Sequence, residues 1–522
     1  MTGENGGVDA RDVEWWRDAV VYQIYPRSFA DGNGDGVGDL RGIIDHVDDI
    51  AALGVDAVWL SPIYPSPMHD FGYDVADYCN IDPVFGTLDD FDEMLAVLHE
   101  CNLRLLLDWV PNHTSSKHPW FIESRSSIDS PRRDWYVWRD ARPDGSPPTN
   151  WMSMFKGVPA WTPDEHTGQS YLHLFLAEQP DLNWANPEVE NAMHHTLRFW
   201  LDRGVDGFRS DVVNLIGKGT DVDDLSEELA AVPLLATDRP RGHELLRRIR
   251  SLLDSYPQRP MMVGEVYLLS AGESASYVGT PDRPELHLSF DFRAVHVRWD
   301  AAQIHRTIAA IQNDFSEPRW PTWVLSNHDQ PRHRSRYGSD AHARAAAVLS
   351  LTMRGTPFLY AGEELGLTDG EVPPDRVVDP NGRDGCRAPI PWTPDGDADT
   401  GHGWATAPWL PFPTNASTHS FASQRDDPRS MLGLYRRLLA LRAATPALRS
   451  GALDLAPLDG DLLRYDRVSG DQRITVVVNC GTAATPWPDD LLTASVLAAS
   501  GERIVVDGAP LDPLEAVVLG YE

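Results

Sequence analysis

The segment GVDGFRSD, at residues 204–211, ends in two charged side chains whose spacing suits catalysis. Arg209 and Asp211 lie two residues apart, and on a strand two such side chains point to the same side. A guanidinium beside a carboxylate favours the ionised form of that carboxylate and orients it, as a nucleophilic Asp requires. An ion pair at the exposed end of a strand would give the same pattern, so the segment alone leaves both interpretations open.

Three further apolar runs also end in acidic side chains or histidine. RLLLDWVPNH contains Asp108, PMMVGEVY contains Glu265, and TWVLSNHDQ contains His328 and Asp329. In a parallel barrel the carboxyl ends of the strands meet on one face, where the loops that follow them form the active site. Together the four runs predict one carboxylate-rich site at that face.

Strand-like and helix-like runs alternate along most of the chain, which predicts parallel βα units. GDLRGIIDHVDDIAALG has apolar residues at helical spacing, and Gly54 marks the end of this helix. The alternation predicts strands at 20–29, 56–63, 104–110, 205–211, 260–266, 286–292, 321–327 and 356–361.

The four acidic segments resemble the conserved regions of glycoside hydrolase family 13, the α-amylase family. QPDLN at 179–183 is similar to the short fifth region of the oligo-1,6-glucosidases and α-glucosidases of that family. SPMHDFGYDVADY at 66–78 and NGRDGCRAPIPW at 381–392 resemble α-glucosidases of the same group. The resemblance runs in order from about Trp16 to about Trp392.

The resemblance implies a fold of the α/β class: a (β/α)8 TIM barrel with an inserted loop domain after strand 3 and a C-terminal antiparallel β domain. The break in alternation at about residue 112 and the short β-like runs after about residue 448 agree with it. We predict a disordered N-terminus at 1–14, a barrel at 15–111 and 183–447, an inserted domain at 112–182 and a β domain at 448–522.

The resemblance also implies a retaining exo-acting α-glucosidase that releases glucose from the non-reducing end of short α-glucosides by double displacement. Asp211 would be the nucleophile, Glu265 the acid/base, and Asp329 the carboxylate that stabilises the oxocarbenium-like transition state. The apolar run before Glu265 could keep its proton in place by desolvation. A strand-end acid that caps a helix is the structural alternative for Glu265.

Further residues of the motifs are expected to bind the sugar. His113 and His328 would bind hydroxyls of the sugar at the cleavage site, and Tyr73 would stack on its face. Asp70 and Arg387 would form the pair that binds the outer hydroxyls of a terminal glucose. A salt bridge between loops is the alternative for this pair.

Val212 follows the nucleophile and is a pointer to the linkage that is cleaved. In the relatives, Val at this position tends to accompany α-1,6 cleavage. SPMHDFGYD, WMSMF and GRDGCRAPIPW instead resemble enzymes that prefer α-1,4 linkages. The two signals conflict, and the sequence leaves the linkage open.

The loop DGNGDGVGD, at 31–39, predicts a structural calcium or magnesium ion. Its oxygen-bearing groups alternate on a Gly-rich loop, which suits a hard cation, and the relatives hold calcium there. Gly42 stands where an EF-hand has its closing Glu, so the loop is not an EF-hand. A turn closed by Asx side chains is the alternative. The candidate ligands are Asp31, Asn33, Asp35, the Val37 carbonyl and Asp39.

The composition of the chain indicates which classes of ligand and partner it can bind. The 522 residues carry a net charge of −33, which disfavours nucleic acid and anionic membranes and suits a small neutral oligosaccharide. The four cysteines are scattered, and no segment reads as a signal peptide or a membrane span. These features predict a cytoplasmic enzyme without an organic cofactor, as a monomer or a small homo-oligomer.

Two other classes of protein share this pattern. The non-enzymatic transporter-associated heavy chains of the family would have lost catalytic carboxylates, and this chain keeps all three. A transglucosylase or sugar isomerase that acts on maltose or sucrose would use the same catalytic residues. The isomerases carry an Arg-rich loop after SNHD, which HRSRYGSD at 333–340 matches poorly.

Overall fold

The computed structural model describes residues 14–155, 157–220, 222–236, 240–268, 271–379 and 381–521. Of the predicted disordered segment 1–14, residues 1–13 lie outside these ranges. Glu14 is in a turn before the helix Trp15–Asp18.

Eight parallel strands form the centre of the molecule. Neighbouring strands pair in the order β6-β5-β4-β3-β2-β1-β8-β7. Between β6 and β7 the ring closes through the hydroxyl of Thr322, which donates to Ser289 O and accepts from Asp291 N. The strands are β1 Val21–Ile24, β2 Ala57–Leu60, β3 Arg104–Trp109, β4 Gly207–Ser210, β5 Met261–Gly264, β6 Leu288–Ser289, β7 Thr322–Val324 and β8 Thr356–Tyr360.

The eight predicted strands and the barrel are confirmed, with strands shorter than the apolar runs. Alternate residues of each strand point into the barrel and out toward the helices. Val21 and Phe358 belong to the inner apolar cluster, whereas Tyr22 and Leu359 pack in the outer one. Because both faces are buried, the strands read as continuous apolar runs.

The barrel strands alternate with helices. The predicted helix at 38–54 is two helices that meet at His46, whose ring stacks on Trp392 at a centroid distance of 3.4 Å. Gly54 ends the second with φ +93°, as expected. The longer helices are Leu40–Asp45, Val47–Leu53, Leu88–Glu100, Pro187–Asp202, Pro240–Asp254, Ala301–Asp314, Asp340–Thr352 and Met431–Ala444. The shorter ones are Glu227–Ala230, Arg293–His296, His333–Tyr337, Phe421–Gln424 and Pro446–Arg449.

The chain leaves the barrel after β3 and forms a small inserted unit. A three-stranded antiparallel sheet pairs Gln169–Leu172 with Trp138–Asp140 on one side and Trp161–Pro163 on the other. The helix Pro119–Ser124 packs beside it, although the sequence shows no helical period here. The bridge between His113 and Asp181 brings the two ends of the unit together.

A five-stranded antiparallel sheet follows the barrel, as the sequence predicts, in the order β9-β10-β11-β13-β12. Arg467 of this sheet joins it to the barrel, because it is buried and donates to the carbonyl oxygen of Thr352. Buried Arg442, in the helix Met431–Ala444, donates to the carbonyl oxygens of Leu351 and Gly355 beside it. Burial lowers the pKa of Arg442 to about 10 and that of Arg467 to about 9. The strands are β9 Ala452–Leu455, β10 Leu462–Ser469, β11 Gln472–Asn479, β12 Ser495–Ala499 and β13 Ala516–Gly520.

Within the residues described above, no helix is both long and apolar enough to cross a membrane.

Candidate active site

Arg209 is the centre of a buried cluster of three carboxylates. Its Nη1 donates to Asp211 Oδ1 at 2.7 Å and to Asp108 Oδ1 at 2.8 Å, and its Nη2 donates to Glu265 Oε2. The side chain of Arg209 is 1% exposed. One guanidinium therefore fixes the positions of both predicted catalytic acids.

Three neighbouring strands position the side chains of this cluster. Asp108 in β3 lies directly opposite Arg209 in β4, and Glu265 follows the end of β5, which pairs with β4. Asp211 follows β4 and shares the face of Arg209, as their spacing predicts. The contact between Arg209 and Asp211 is buried, so the alternative of an exposed ion pair at a strand end is wrong.

Burial dominates the electrostatics of the cluster. It raises the pKa of Asp211 well above the usual range, and repulsion by Glu265 and Asp108 acts in the same direction against the attraction of Arg209. Burial also raises the pKa of Asp108, to about 6. Arg209 favours the ionised form of Asp211, as the sequence predicts, but one cation serves three desolvated acids and the effect of burial on the pKa is larger.

Asp329 lies in a different electrostatic environment. Arg383 Nη1 and Arg387 Nη2 contact its Oδ1 at 3.0 and 3.1 Å, and His328 Nε2 lies 3.2 Å from Oδ2. Burial opposes ionisation, but His328 and the two guanidiniums outweigh it and hold the pKa of Asp329 below its usual range. A permanently ionised carboxylate at this position can stabilise positive charge on a sugar ring.

A directed chain of hydrogen bonds orients His328 and Tyr73. Gln23 Nε2 donates to His328 Nδ1 at 2.8 Å, which requires the ring proton to be on Nε2. His328 Nε2 lies 2.7 Å from the Tyr73 hydroxyl, which donates to Asp108 Oδ2 at 3.0 Å. The Tyr73 ring stacks on His328 with an interplanar angle of 4° and borders the pocket. Its stacking on a sugar stays a prediction.

Asp70 has a different partner from the one that the sequence suggests. Arg383 Nη2 contacts Asp70 Oδ1 at 2.6 Å, and Gln179 Nε2 donates to Asp70 Oδ2 at 3.0 Å. The predicted pair of Asp70 with Arg387 is wrong, because Arg387 is fully buried and donates to His328 O and Asp329. Arg383 stands four residues earlier in the same NGRDGCR segment.

A buried lysine supports His113. Lys218 Nζ donates to Asn112 Oδ1 at 2.6 Å and lies 3.2 Å from Asp181 Oδ2. Asn112 Nδ2 in turn lies 3.0 Å from His113 Nδ1. Burial, with the charge of Lys218, lowers the pKa of His113 to about 3. Lys218 thus ties the inserted unit to the turn after the nucleophile, a role that no motif in the sequence indicates.

These groups surround a cavity of about 280 Å³ at the carboxyl end of the barrel strands. Seven predicted site residues border it: Asp70, Tyr73, His113, Asp211, Val212, Glu265 and Asp329. Arg209, His328 and Arg387 lie behind this first layer and orient it. The sequence analysis missed the other residues of the wall: Met154, Phe155, Phe175, Val232, Leu235, Tyr267 and Arg383. A larger cavity of about 560 Å³ borders the β domain, away from the catalytic acids.

The loop at 31–39 is closed by its own side chains. Asp31 accepts from the amides of Gly34 and Gly36, and Asp39 accepts from those of Gly32, Asn33 and Gly42. Asn33 and Asp35 each accept from the amide two residues on, that of Asp35 and of Val37 respectively. Throughout the described ranges, no three His, Cys, Asp or Glu side chains are grouped to hold a metal ion. The predicted ligands also include Asn33 and the Val37 carbonyl, and the calcium or magnesium site stays a prediction.

Comparisons with known proteins identify the family of this chain. The family model "Alpha amylase, catalytic domain" matches residues 23–451. The chain belongs to the α-amylase family. It is 42% identical to a probable alpha-glucosidase of Rhizobium meliloti, over 91% of this chain and 90% of that protein. It is 38% identical to an oligo-1,6-glucosidase of Parageobacillus thermoglucosidasius, over 89% of this chain and 90% of that protein.

Solved structures of the family have the same fold. An alpha-glucosyl transfer enzyme superimposes with a TM-score of 0.89 at 38% identity, covering 97% of this chain and 99% of its own. A variant of the trehalulose synthase MutB superimposes with a TM-score of 0.90 at 34% identity, covering 97% and 100%. Solved structures with this architecture therefore include enzymes named for glucosyl transfer and for trehalulose synthesis.

The histidines and the acids predict a specific pH dependence. Burial lowers the pKa of His113 and of His328 to about 3, so both are neutral at working pH. The acid limb of kcat/KM should report Asp211, whose pKa burial raises, and lie above the ordinary Asp value of about 3.9. His113→Asn should lower kcat/KM, by roughly 10²-fold, without moving the midpoint of that limb. A profile measured between about pH 4 and pH 8 in which the midpoint follows the substitution would contradict this assignment.

Removal of divalent ions tests the 31–39 loop. The sequence predicts that exhaustive chelation lowers the melting temperature more than the activity, because an ion that binds only the folded state stabilises it. Thermal unfolding and elemental analysis before and after chelation measure this. Unchanged unfolding together with a metal-free starting protein would exclude the site.

Proposed function

We propose that the protein is a retaining, exo-acting α-glucosidase that releases glucose from the non-reducing end of short α-glucosides. The observation that carries this proposal is the pair of catalytic acids held by one guanidinium. Arg209 contacts Asp211 through Nη1 and Glu265 through Nη2, which keeps the two carboxyl groups close together. Retaining enzymes need their two carboxyl groups roughly 5–5.5 Å apart, whereas inverting enzymes need room for a water between them.

Two displacements complete the reaction. In the first, Glu265 gives its proton to the glycosidic oxygen, the bond from C1 to that oxygen breaks, and Asp211 attacks C1 to form a glycosyl ester. In the second, Glu265 takes a proton from water, the hydroxide attacks C1, and Asp211 leaves as a carboxylate. Arg209 donates to Asp211 Oδ1 and stabilises this carboxylate when it leaves.

Asp329 supplies the electrostatic part of the mechanism. Its low pKa keeps it ionised beside the pocket, where negative charge stabilises an oxocarbenium-like transition state. Arg383 on the cavity wall and Arg387 behind it hold Asp329 in position. This role accords with its contacts, because both oxygens are already oriented before substrate arrives.

The ion pair of Asp70 and Arg383 supports exo action. The two side chains meet at 2.6 Å on the wall of the cavity, and Gln179 holds Asp70 from the other side. Charged groups that pair across a pocket occupy the space that a further sugar would need. They can also bind the outer hydroxyls of a terminal glucose, which an internal residue of a chain does not present.

The linkage preference remains open between α-1,4 and α-1,6. Similar proteins are named both alpha-glucosidase and oligo-1,6-glucosidase. Val212 borders the cavity and adopts a left-handed backbone conformation, with φ +33°, which is costly for a β-branched residue. The conformation directs its N–H toward Glu265 Oε2, at 3.3 Å. We propose that Val212 contributes to linkage preference from this position.

Glucosyl transfer is the second candidate. The structural neighbours include an alpha-glucosyl transfer enzyme and a trehalulose synthase. Transfer uses the same two displacements, with a sugar or alcohol hydroxyl in place of water in the second. Chromatography of the products from maltose, isomaltose, sucrose and trehalose at high concentration distinguishes the two: free glucose indicates hydrolysis, and new disaccharides or trisaccharides indicate transfer.

The composition supports a proposal for the compartment in which the enzyme acts and for the molecules that it binds. We propose a cytoplasmic protein that acts on small neutral oligosaccharides, binds no nucleic acid or membrane, and is a monomer or small homo-oligomer. All four cysteines are free thiols, which suits a reducing compartment. The net charge of −33 suits a neutral substrate and disfavours polyanions.

Glu265→Gln tests the assignment of the acid. The variant should lose hydrolysis of maltose and isomaltose, whose leaving groups need a proton, by several powers of ten. It should form the glycosyl ester from an α-glucoside with a nitrophenol leaving group at a rate much closer to that of the unaltered enzyme, because that group leaves without protonation. Single-turnover release of nitrophenol measures the first step. Equal loss on both kinds of substrate would contradict the role.

A further inference from the structure

The pocket has two chemically different halves. Asp70, His113, Asp329 and Arg383 form one half and are suited to the hydroxyls of a terminal glucose. The other half is apolar. It is formed by Met154, Val212, Val232 and Leu235, together with the ring of Tyr267, and Phe155 lies where the halves meet, with its ring centroid 5.4 Å from the Arg383 guanidinium.

Three separate segments build the apolar half. Met154 and Phe155 come from the inserted unit, Val212 follows the nucleophile, and Val232 with Leu235 come from the segment at 222–236. All belong to one apolar cluster whose buried members include Trp151 and Leu174. Those facing the cavity are half-buried, except Val212, which is 6% exposed.

Hydrogen bonds fix the 222–236 segment against the inserted unit. Trp151 Nε1 donates to Asp223 O at 2.8 Å, Met152 N donates to Ala230 O at 2.8 Å, and Asn150 Nδ2 donates to Leu225 O at 2.7 Å. The apolar wall is therefore attached at several points along its length. Its side chains are presented to the cavity by a supported surface.

The apolar half lies on the side of the leaving group. Val212 N donates to Glu265 Oε2, and Tyr267 stands two residues after Glu265, so both flank the acid that must face the departing oxygen. Asp70 and Arg383 meet on the opposite half, where the terminal glucose is expected. An aglycone that extends from the cleaved bond would therefore contact the apolar residues.

We propose that this half is a binding site for an apolar aglycone, so that alkyl and aryl α-glucosides are preferred over equally reactive α-glucosides with a small aglycone. The inference rests on the proposed α-glucosidase activity and specifies its substrate class. A second glucose ring needs partners for its hydroxyls. Among the described residues of the apolar half, Tyr267 alone carries a hydroxyl, whereas an alkyl chain needs only apolar surface.

The chemistry is the same double displacement. The bond from C1 to the alkyl oxygen breaks, the alcohol leaves with the proton of Glu265, and water then hydrolyses the ester on Asp211. Contact with the alkyl chain favours both binding and the transition state, because the chain stays in place until the bond is broken. The effect is therefore expected in kcat/KM.

A series of n-alkyl α-D-glucopyranosides tests the inference. Methyl, propyl, butyl and hexyl glucosides share one glycone and have primary alcohols of similar acidity, so differences in kcat/KM report contact with the chain. A fully buried methylene increases kcat/KM by roughly fourfold at most. We expect a rise of about 10-fold or more from methyl to hexyl, with maltose as a reference for hydrolysis.

Two variants and a control locate the effect. Val232→Ser and Leu235→Ser should each reduce the ratio of hexyl to methyl kcat/KM, because a hydroxyl replaces apolar contact surface. Ile504→Ser replaces an exposed apolar residue of the β domain, 81% exposed, and should leave the ratio unchanged. The site is supported if the ratio falls in both pocket variants and is unchanged in the Ile504→Ser control.

The outcomes separate this inference from the proposed function. If kcat/KM does not rise from methyl to hexyl glucoside while methyl glucoside and maltose are hydrolysed normally, the apolar site is wrong and the α-glucosidase assignment stands. If kcat/KM rises with chain length equally in Val232→Ser, Leu235→Ser and the unaltered enzyme, the apolar site is also wrong, because the alkyl chain would then contact other residues. Failure to hydrolyse any α-glucoside would contradict the proposed function itself.

Discussion

The contact of one buried guanidinium with three carboxylates is the constraint on which the active site depends. Arg209 holds Asp108, Asp211 and Glu265 in the interior, where an unpaired charge would be costly. Removing one partner of a buried ion pair commonly costs about 3–5 kcal/mol, because the other charge is left uncompensated. With a single cation for three acids, burial and mutual repulsion also raise the pKa of Asp211. The position of the catalytic pair and the electrostatics of its nucleophile thus have the same origin.

The barrel strands position this cluster, and the loops after the strands form the cavity in which substrate is expected to bind. Adjacent parallel strands place Asp108 beside Arg209 and bring Glu265 to the same edge. The long connections after the strands then close the cavity with two kinds of surface. One contains the ion pair of Asp70 with Arg383, and the other is the apolar wall that includes Leu235. Catalysis depends on the strands, whereas the choice of substrate depends on the loops.

The features that the sequence predicts best are those encoded by neighbouring residues in the chain. Acids at the ends of apolar runs identify the catalytic residues, because parallel strands bring their ends together. It fails where a side chain chooses between partners that are distant in sequence. Arg383 and Arg387 are one turn apart in one motif, and only packing shows that the first reaches Asp70 while the second is buried under His328. The apolar wall likewise comes from segments that carry no common pattern.

Trapping of the glycosyl ester tests the central claim most directly. An activated 5-fluoro-α-glucosyl fluoride accumulates the first intermediate in a retaining enzyme, because its leaving group departs readily while the fluorine slows hydrolysis of the ester. Intact-mass measurement should show one added fluoroglucosyl group, and peptide mapping should place it on Asp211. A label on Glu265 or on another residue, or release of the β-anomer of glucose without any ester, would contradict the account.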